Sequence, residues 1–108
     1  MSADPLQLLD DIERELQRLS LWDDEPPPVR ALQSATPFCY DTLRLEQWLQ
    51  WIFIPRARVL LAQGTALPGR CEIRPVAELR FAEVAADTGA LERHIGALDE
   101  VLNRMGSR

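Results

Sequence analysis

The apolar positions of this chain recur at helical spacing, and nowhere do they alternate over a run bounded by hairpin turns as strands would. Leu6, Leu9, Ile12, Leu16 and Leu19 lie three or four residues apart, opposed by Asp10, Asp11, Glu13, Arg14 and Arg18. This pattern predicts an amphipathic helix over residues 5–20. Asp4 can cap it, and Pro5 takes the first helical position, where a missing N–H costs nothing. A second seam of Leu91, Ile95, Leu98, Leu102 and Met105 marks the last helix, opened by Asp87-Thr88-Gly89 and closed by Asn103, Arg104 and Gly106. Between the two, Arg74-Pro75 starts a shorter helix from Val76 to about Ala85, with Val76, Leu79, Phe81 (or Ala82) and Val84 as inner positions.

The densest apolar stretch lies between Thr36 and Arg58, where Leu45, Trp48, Leu49, Trp51, Ile52, Phe53 and Ile54 leave a narrow polar stripe around Glu46, Gln47 and Gln50. A helix apolar on nearly all sides is a central one. It is expected to begin near Asp41-Thr42, to kink or restart at Pro55, and to stop at Gly64. Trp48 and Trp51, three residues apart, share a face and are expected with Pro55 as core anchors. Ahead of it runs a long crossover, Leu21 to Asp41, with Pro26-Pro27-Pro28 favouring an extended course and Trp22 and Phe38 as its apolar anchors. Ala66-Leu67-Pro68-Gly69 reads as a turn. The whole is predicted to be all-α, a four-helix bundle with a long proline-rich crossover and a kinked central helix, forming one domain over residues 1–108.

Charge changes the picture in one place. The net charge is −5 and every basic residue is arginine, but residues 1–50 hold ten acids against four arginines whereas residues 51–80 hold two against five. Arg56, Arg58, Arg70, Arg74 and Arg80 are therefore either a local anion-binding surface or partners for the acidic first and last helices. At 100° per residue, Arg56 and Arg58 point about 160° apart.

Chemistry is otherwise sparse. There is no glycine-rich phosphate loop, no metal-binding histidine pair and no nucleophile elbow. His94 stands beside the seam position Ile95, and Cys39 and Cys71 with His94 fall one ligand short of a structural zinc site. No catalytic residue, metal or cofactor is assigned. No apolar run approaches a membrane span, and the acidic N-terminus is unlike a secretory signal, so a cytoplasmic location is expected.

The stretch Trp48-Leu49-Gln50-Trp51-Ile52-Phe53-Ile54-Pro55-Arg56 resembles the YqcC-like family of small bacterial proteins, and Trp22, Thr36-Pro37-Phe38, Asp41-Thr42 and Leu67-Pro68-Gly69 match its pattern in the same order. The resemblance implies a helical domain of unknown function named for association with a type C tRNA pseudouridine synthase. It implies a non-catalytic partner of that synthase, touching tRNA only indirectly, with Trp22, Phe38, Arg56 and Arg58 as candidate interaction residues. The competing expectation is a small-ligand or peptide-binding bundle with a pocket at the Pro55 kink.

Overall fold

A computed structural model describes residues 4–65 and 70–106. Among them there are helices and turns and no strand, so the fold is all-α. The turn expected at Ala66-Leu67-Pro68-Gly69 lies outside the described residues.

Helix α1 spans Pro5–Arg18, with Asp4 Oδ1 accepting from the Leu6 N–H at 3.0 Å. It ends in a left-handed Ser20 (φ 60°), where the Leu21 N–H reaches the Leu16 carbonyl at 2.8 Å and the Ser20 N–H reaches Gln17 at 3.1 Å. This double closure is a Schellman motif with serine in the position glycine usually takes. The helix buries Leu8, Leu9, Ile12 and Leu16. Leu8 thus replaces Leu6, which is exposed, because the inward stripe is rotated slightly from the one the leucine spacing suggested.

Helix α6, Gly89–Gly106, packs along α1 and buries Leu91, Ile95, Leu98 and Leu102. Thr88 is buried at its start and donates its hydroxyl to Glu92 at 2.6 Å.

The central region is helical from residue 45 to 62, as a turn α3 (Leu45–Trp48), a π-helical segment (Leu49–Phe53) and helix α4 (Ile54–Ala62). It begins later than expected because Asp41 and Thr42 are engaged elsewhere. Asp41 accepts from the Ser34 hydroxyl at 2.6 Å, and Thr42 donates to the Ala31 carbonyl at 2.7 Å. Pro55 is accommodated without loss of helical dihedrals at Phe53 or Ile54, and the Ile54 N–H reaches back five residues to the Leu49 carbonyl. The widened turn, Leu49–Phe53, thus ends one residue short of the proline, which cannot donate a backbone bond itself.

Within the polar stripe of this region, Glu46 and Gln50 face inward. Glu46 is 2% exposed and Gln50 6%, whereas Trp48, Trp51 and Ile52 are half-buried and Pro55 is exposed. The reason is long-range pairing. Arg80 donates through Nε and Nη2 to the two Glu46 oxygens at 3.0 and 2.8 Å. The Gln50 carboxamide clamps the Asp23 backbone, accepting from its N–H and donating to its carbonyl, each at 2.7 Å. A buried polar side chain is tolerated where its hydrogen bonds are met in this way.

Helix α5, Arg74–Phe81, buries Ala77 and Phe81. Leu79 is 72% exposed rather than inward: with Ala77, Arg80 and Phe81 committed to the interior, a residue 200° beyond Ala77 must face out. The crossover contains a short helix α2, Val29–Leu32, that its prolines had concealed. Trp22 and Phe38 pack half-buried against the core.

Candidate functional site

The π segment reshapes the surface around it. In a regular α-helix Trp48 and Phe53, five residues apart, would point about 140° apart. Across the widened turn their rings stack instead, with centroids 5.1 Å apart and planes at 27°. Phe38 adds its ring to Trp48 in an edge-on arrangement at 4.9 Å.

Phe38 is placed by an unusual backbone. It sits at φ 60°, ψ 14° within the Pro37–Cys39 turn, followed by Cys39 at φ 50°. Left-handed dihedrals at two successive residues with side chains cost on the order of 1–3 kcal/mol each. The surrounding loop over-determines them. The Ser34–Asp41 and Thr42–Ala31 ties close its base, and the Leu43 N–H donates to the Cys39 carbonyl at 2.7 Å. The Ser34 hydroxyl holds the Asp41 carboxyl below its ordinary value.

These aromatics form one wall of a cleft of about 270 Å³, with Ile52 and Arg56 on the same side. The facing wall is the segment from Arg70 to Ile73, with Leu102 of α6 below. That segment has no regular structure, and α6 fixes it by side chains one turn apart. The Asn103 carboxamide accepts from the Cys71 N–H at 2.7 Å and donates to the Cys71 carbonyl at 2.9 Å. The buried Asp99 accepts from the N–H groups of Ile73 (3.1 Å) and Arg74 (2.8 Å) at the start of α5, a favourable place for a carboxylate. Gly96 lets Arg74 lie across α6, since a Cβ there would come within 2.6 Å of the guanidinium.

Burial, and then the Asp99 carboxylate beside it, push the Cys71 thiol far above its ordinary value. That environment favours the thiol over the reactive thiolate. Cys39 is buried, and both thiols are free. Among the described residues no group of acidic, histidine and cysteine side chains could hold a metal ion, and no helix is long and apolar enough to cross a membrane.

The structure separates the residues singled out in the sequence. Phe38, Arg56 and Trp48 meet in the cleft. Arg56 is exposed and makes no ion pair or hydrogen bond among the described residues. Arg58 points away and bridges α4 to α1, 2.9 Å from Asp10 and 2.8 Å from Glu13. Partial burial opposes its charge, but these two carboxylates hold its guanidinium above the ordinary value. Trp22 packs half-buried against the core, next to Asp23, whose backbone Gln50 holds. Trp51 turns its indole N–H into a buried position with no partner among the described residues. Nor do the five arginines of residues 51–80 make one patch. Arg70 pairs with Glu72 at 2.7 Å and Arg80 with Glu46, while Arg74 lies over Gly96 and near Glu78. The facing wall, Arg70–Ile73 with Leu102, carried no local signal, because only folding brings it to the aromatics.

With this geometry in place, comparison with known proteins is decisive for the family. The sequence profile of DUF446, described as tRNA pseudouridine synthase C, matches residues 5–101. The chain belongs to this family. It is 39% identical over 97 residues to an uncharacterized protein of Haemophilus influenzae, covering 90% of this chain and 91% of that one. Over 77 residues it is 36% identical to the uncharacterized protein YqcC of Escherichia coli, covering 71% and 68%. The solution NMR structure of E. coli YqcC superposes with a TM-score of 0.80 at 27% identity, covering 96% of this chain and 89% of that one. A Pectobacterium carotovorum protein named tRNA pseudouridine synthase C is 47% identical over 62 residues, which are 57% of this chain and 16% of that protein. Most of that protein therefore lies outside the part that is similar to this chain.

Proposed function

We propose that this chain is a non-catalytic accessory protein of a tRNA pseudouridine synthase, acting in the cytoplasm by binding the enzyme and influencing which tRNA it modifies. One observation carries the reading. In the Pectobacterium protein a segment like this chain makes up a small fraction of a polypeptide named for the synthase, as expected if a binding partner had been joined covalently to an enzyme whose chemistry resides in the remainder. Covalent tethering replaces a bimolecular association by an intramolecular one of high effective concentration. The polar groups around the cleft fit this reading: Asp99 is occupied by backbone donors and Cys71 is held protonated, which leaves aromatic surface and an arginine suited to recognition rather than turnover.

The test is an activity assay of the cognate synthase on its tRNA substrates with and without this chain. The expected result is a change in KM for tRNA, or in preference among tRNAs, with no pseudouridine formed by this chain alone. Unchanged parameters at saturating concentrations of this chain would contradict the proposal.

The cleft also favours a second reading, a small-ligand or peptide-binding helical protein with its pocket beside Pro55. Its volume lies just under the roughly 300–1,000 Å³ of ordinary ligand pockets. A thermal-shift screen with acidic metabolites separates the two, since stabilisation by a small acid requires an occupied cleft without the synthase.

A further inference from the structure

We infer that the cleft between the π segment and the clamped 70–73 segment seats a short peptide of the partner synthase, presenting one large apolar side chain to the aromatics and a carboxylate to Arg56. This rests on the accessory-protein reading and names the part of the surface that carries it.

Four features converge on this occupant. Stacked Trp48 and Phe53, with Phe38 edge-on, create an apolar recess. Two local backbone features produce it: a π turn, a feature frequent at functional sites, and consecutive left-handed residues at Phe38 and Cys39. Arg56 stands at the rim with no carboxylate partner among the described residues, while Arg70 opposite is already neutralised by Glu72. The rim therefore complements one negative charge. The cleft is too small for a folded element, but it suits a large side chain and its neighbours. Aromatic and arginine side chains in a recess of this kind are the usual energetic centre of a protein interface.

Charge argues against RNA in the same place. A nucleic-acid surface needs a stripe of cations along the phosphates. Here the chain carries −5 overall, and of the five arginines between residues 51 and 80 only Arg56 and Arg70 face the cleft.

The experiment titrates the full chain into its cognate synthase by calorimetry, comparing wild type with Arg56→Glu, Phe38→Ala and, as a control on the opposite face, Arg58→Ala, with circular dichroism verifying helical content. Arg56→Glu is expected to weaken binding at least about tenfold, Phe38→Ala to weaken it comparably, and Arg58→Ala to change it less than about twofold. If Phe38→Ala does not fold, Arg56→Glu alone decides. Wild-type affinity in the Arg56→Glu protein would overturn the inference while leaving the accessory role intact. No binding by the wild type would overturn both. Binding of tRNA alone that Arg56→Glu abolishes would make the cleft an RNA surface and also overturn the inference. A photo-reactive side chain at Ile52 is expected to capture a synthase peptide containing an Asp or Glu; capture of a peptide without one would refute the proposed chemistry.

Discussion

Glu46 holds its carboxylate at 2% exposure, and two arginines converge on it: Arg80 of α5 through a two-pronged bond and the neighbouring Arg44 at 3.4 Å. The Glu46 side chain, accepting from Arg80, keeps that guanidinium above its ordinary value. A buried ion pair adds little net stability over an apolar replacement, but removing one partner strands the other charge. Arg80→Met is therefore expected to cost about 3 kcal/mol in a urea denaturation experiment, with Glu46→Gln in the same background recovering part of that loss. Two carboxyls, the half-buried Glu15 and the exposed Asp41, contribute to the acid limit. The hydrogen bond from Arg18 holds Glu15 below its ordinary 4.5, and that from Ser34 holds Asp41 below 3.8. A carboxyl lowered in the folded state contributes stability that is complete above its ordinary value and is lost as pH falls through the lowered one. The denaturation midpoint should thus be level from neutral pH to about pH 5 and then fall, and Glu15→Gln with Asp41→Asn should flatten that fall. At this scale the sequence misleads at Glu46 and Gln50. Both read only as part of a narrow polar stripe, with no sign of burial, because their partners Arg80 and Asp23 lie 34 and 27 positions away.

The helices with a regular apolar period were legible, and those shaped by a partner were not. α1 and α6 follow from spacing and caps alone, since each turns a continuous seam to the other and their ends carry Asp4-Pro5 and Thr88. In α5 Leu79 faces solvent, because orientation is decided by Arg80 reaching Glu46 and by Phe81 filling the core. Two substitutions distinguish this arrangement from the one the sequence suggested. Leu79→Ser should change stability by no more than about 0.5 kcal/mol, whereas Phe81→Ala should cost about 3–5 kcal/mol, both read from denaturant midpoints. The π segment was foreshadowed only by Pro55. A missing N–H at that position predicts a disturbance but not that the disturbance stacks Phe53 on Trp48. Half of the site was therefore visible, in Phe38, Trp48 and Arg56. The other half, held by Asn103 and Asp99, depends on contacts between residues 25 to 32 positions apart.

Across the whole molecule, two carboxamide clamps do the same work in different places. Gln50 pins the crossover at Asp23, and Asn103 pins the 70–73 segment at Cys71. The second of these holds in place the wall that faces the aromatics, although that wall has no secondary structure. The acidic balance of the chain is used internally on one side, where Asp10 and Glu13 take Arg58, and leaves Arg56 exposed on the other. This asymmetry, joined to the family's link with tRNA pseudouridine synthase C, makes association with that enzyme the central claim. Gel filtration of the purified chain with its cognate synthase at micromolar concentration, with and without tRNA, tests it most directly. A shared peak at a larger apparent size than either protein alone is expected; two separate peaks under both conditions would rule the association out.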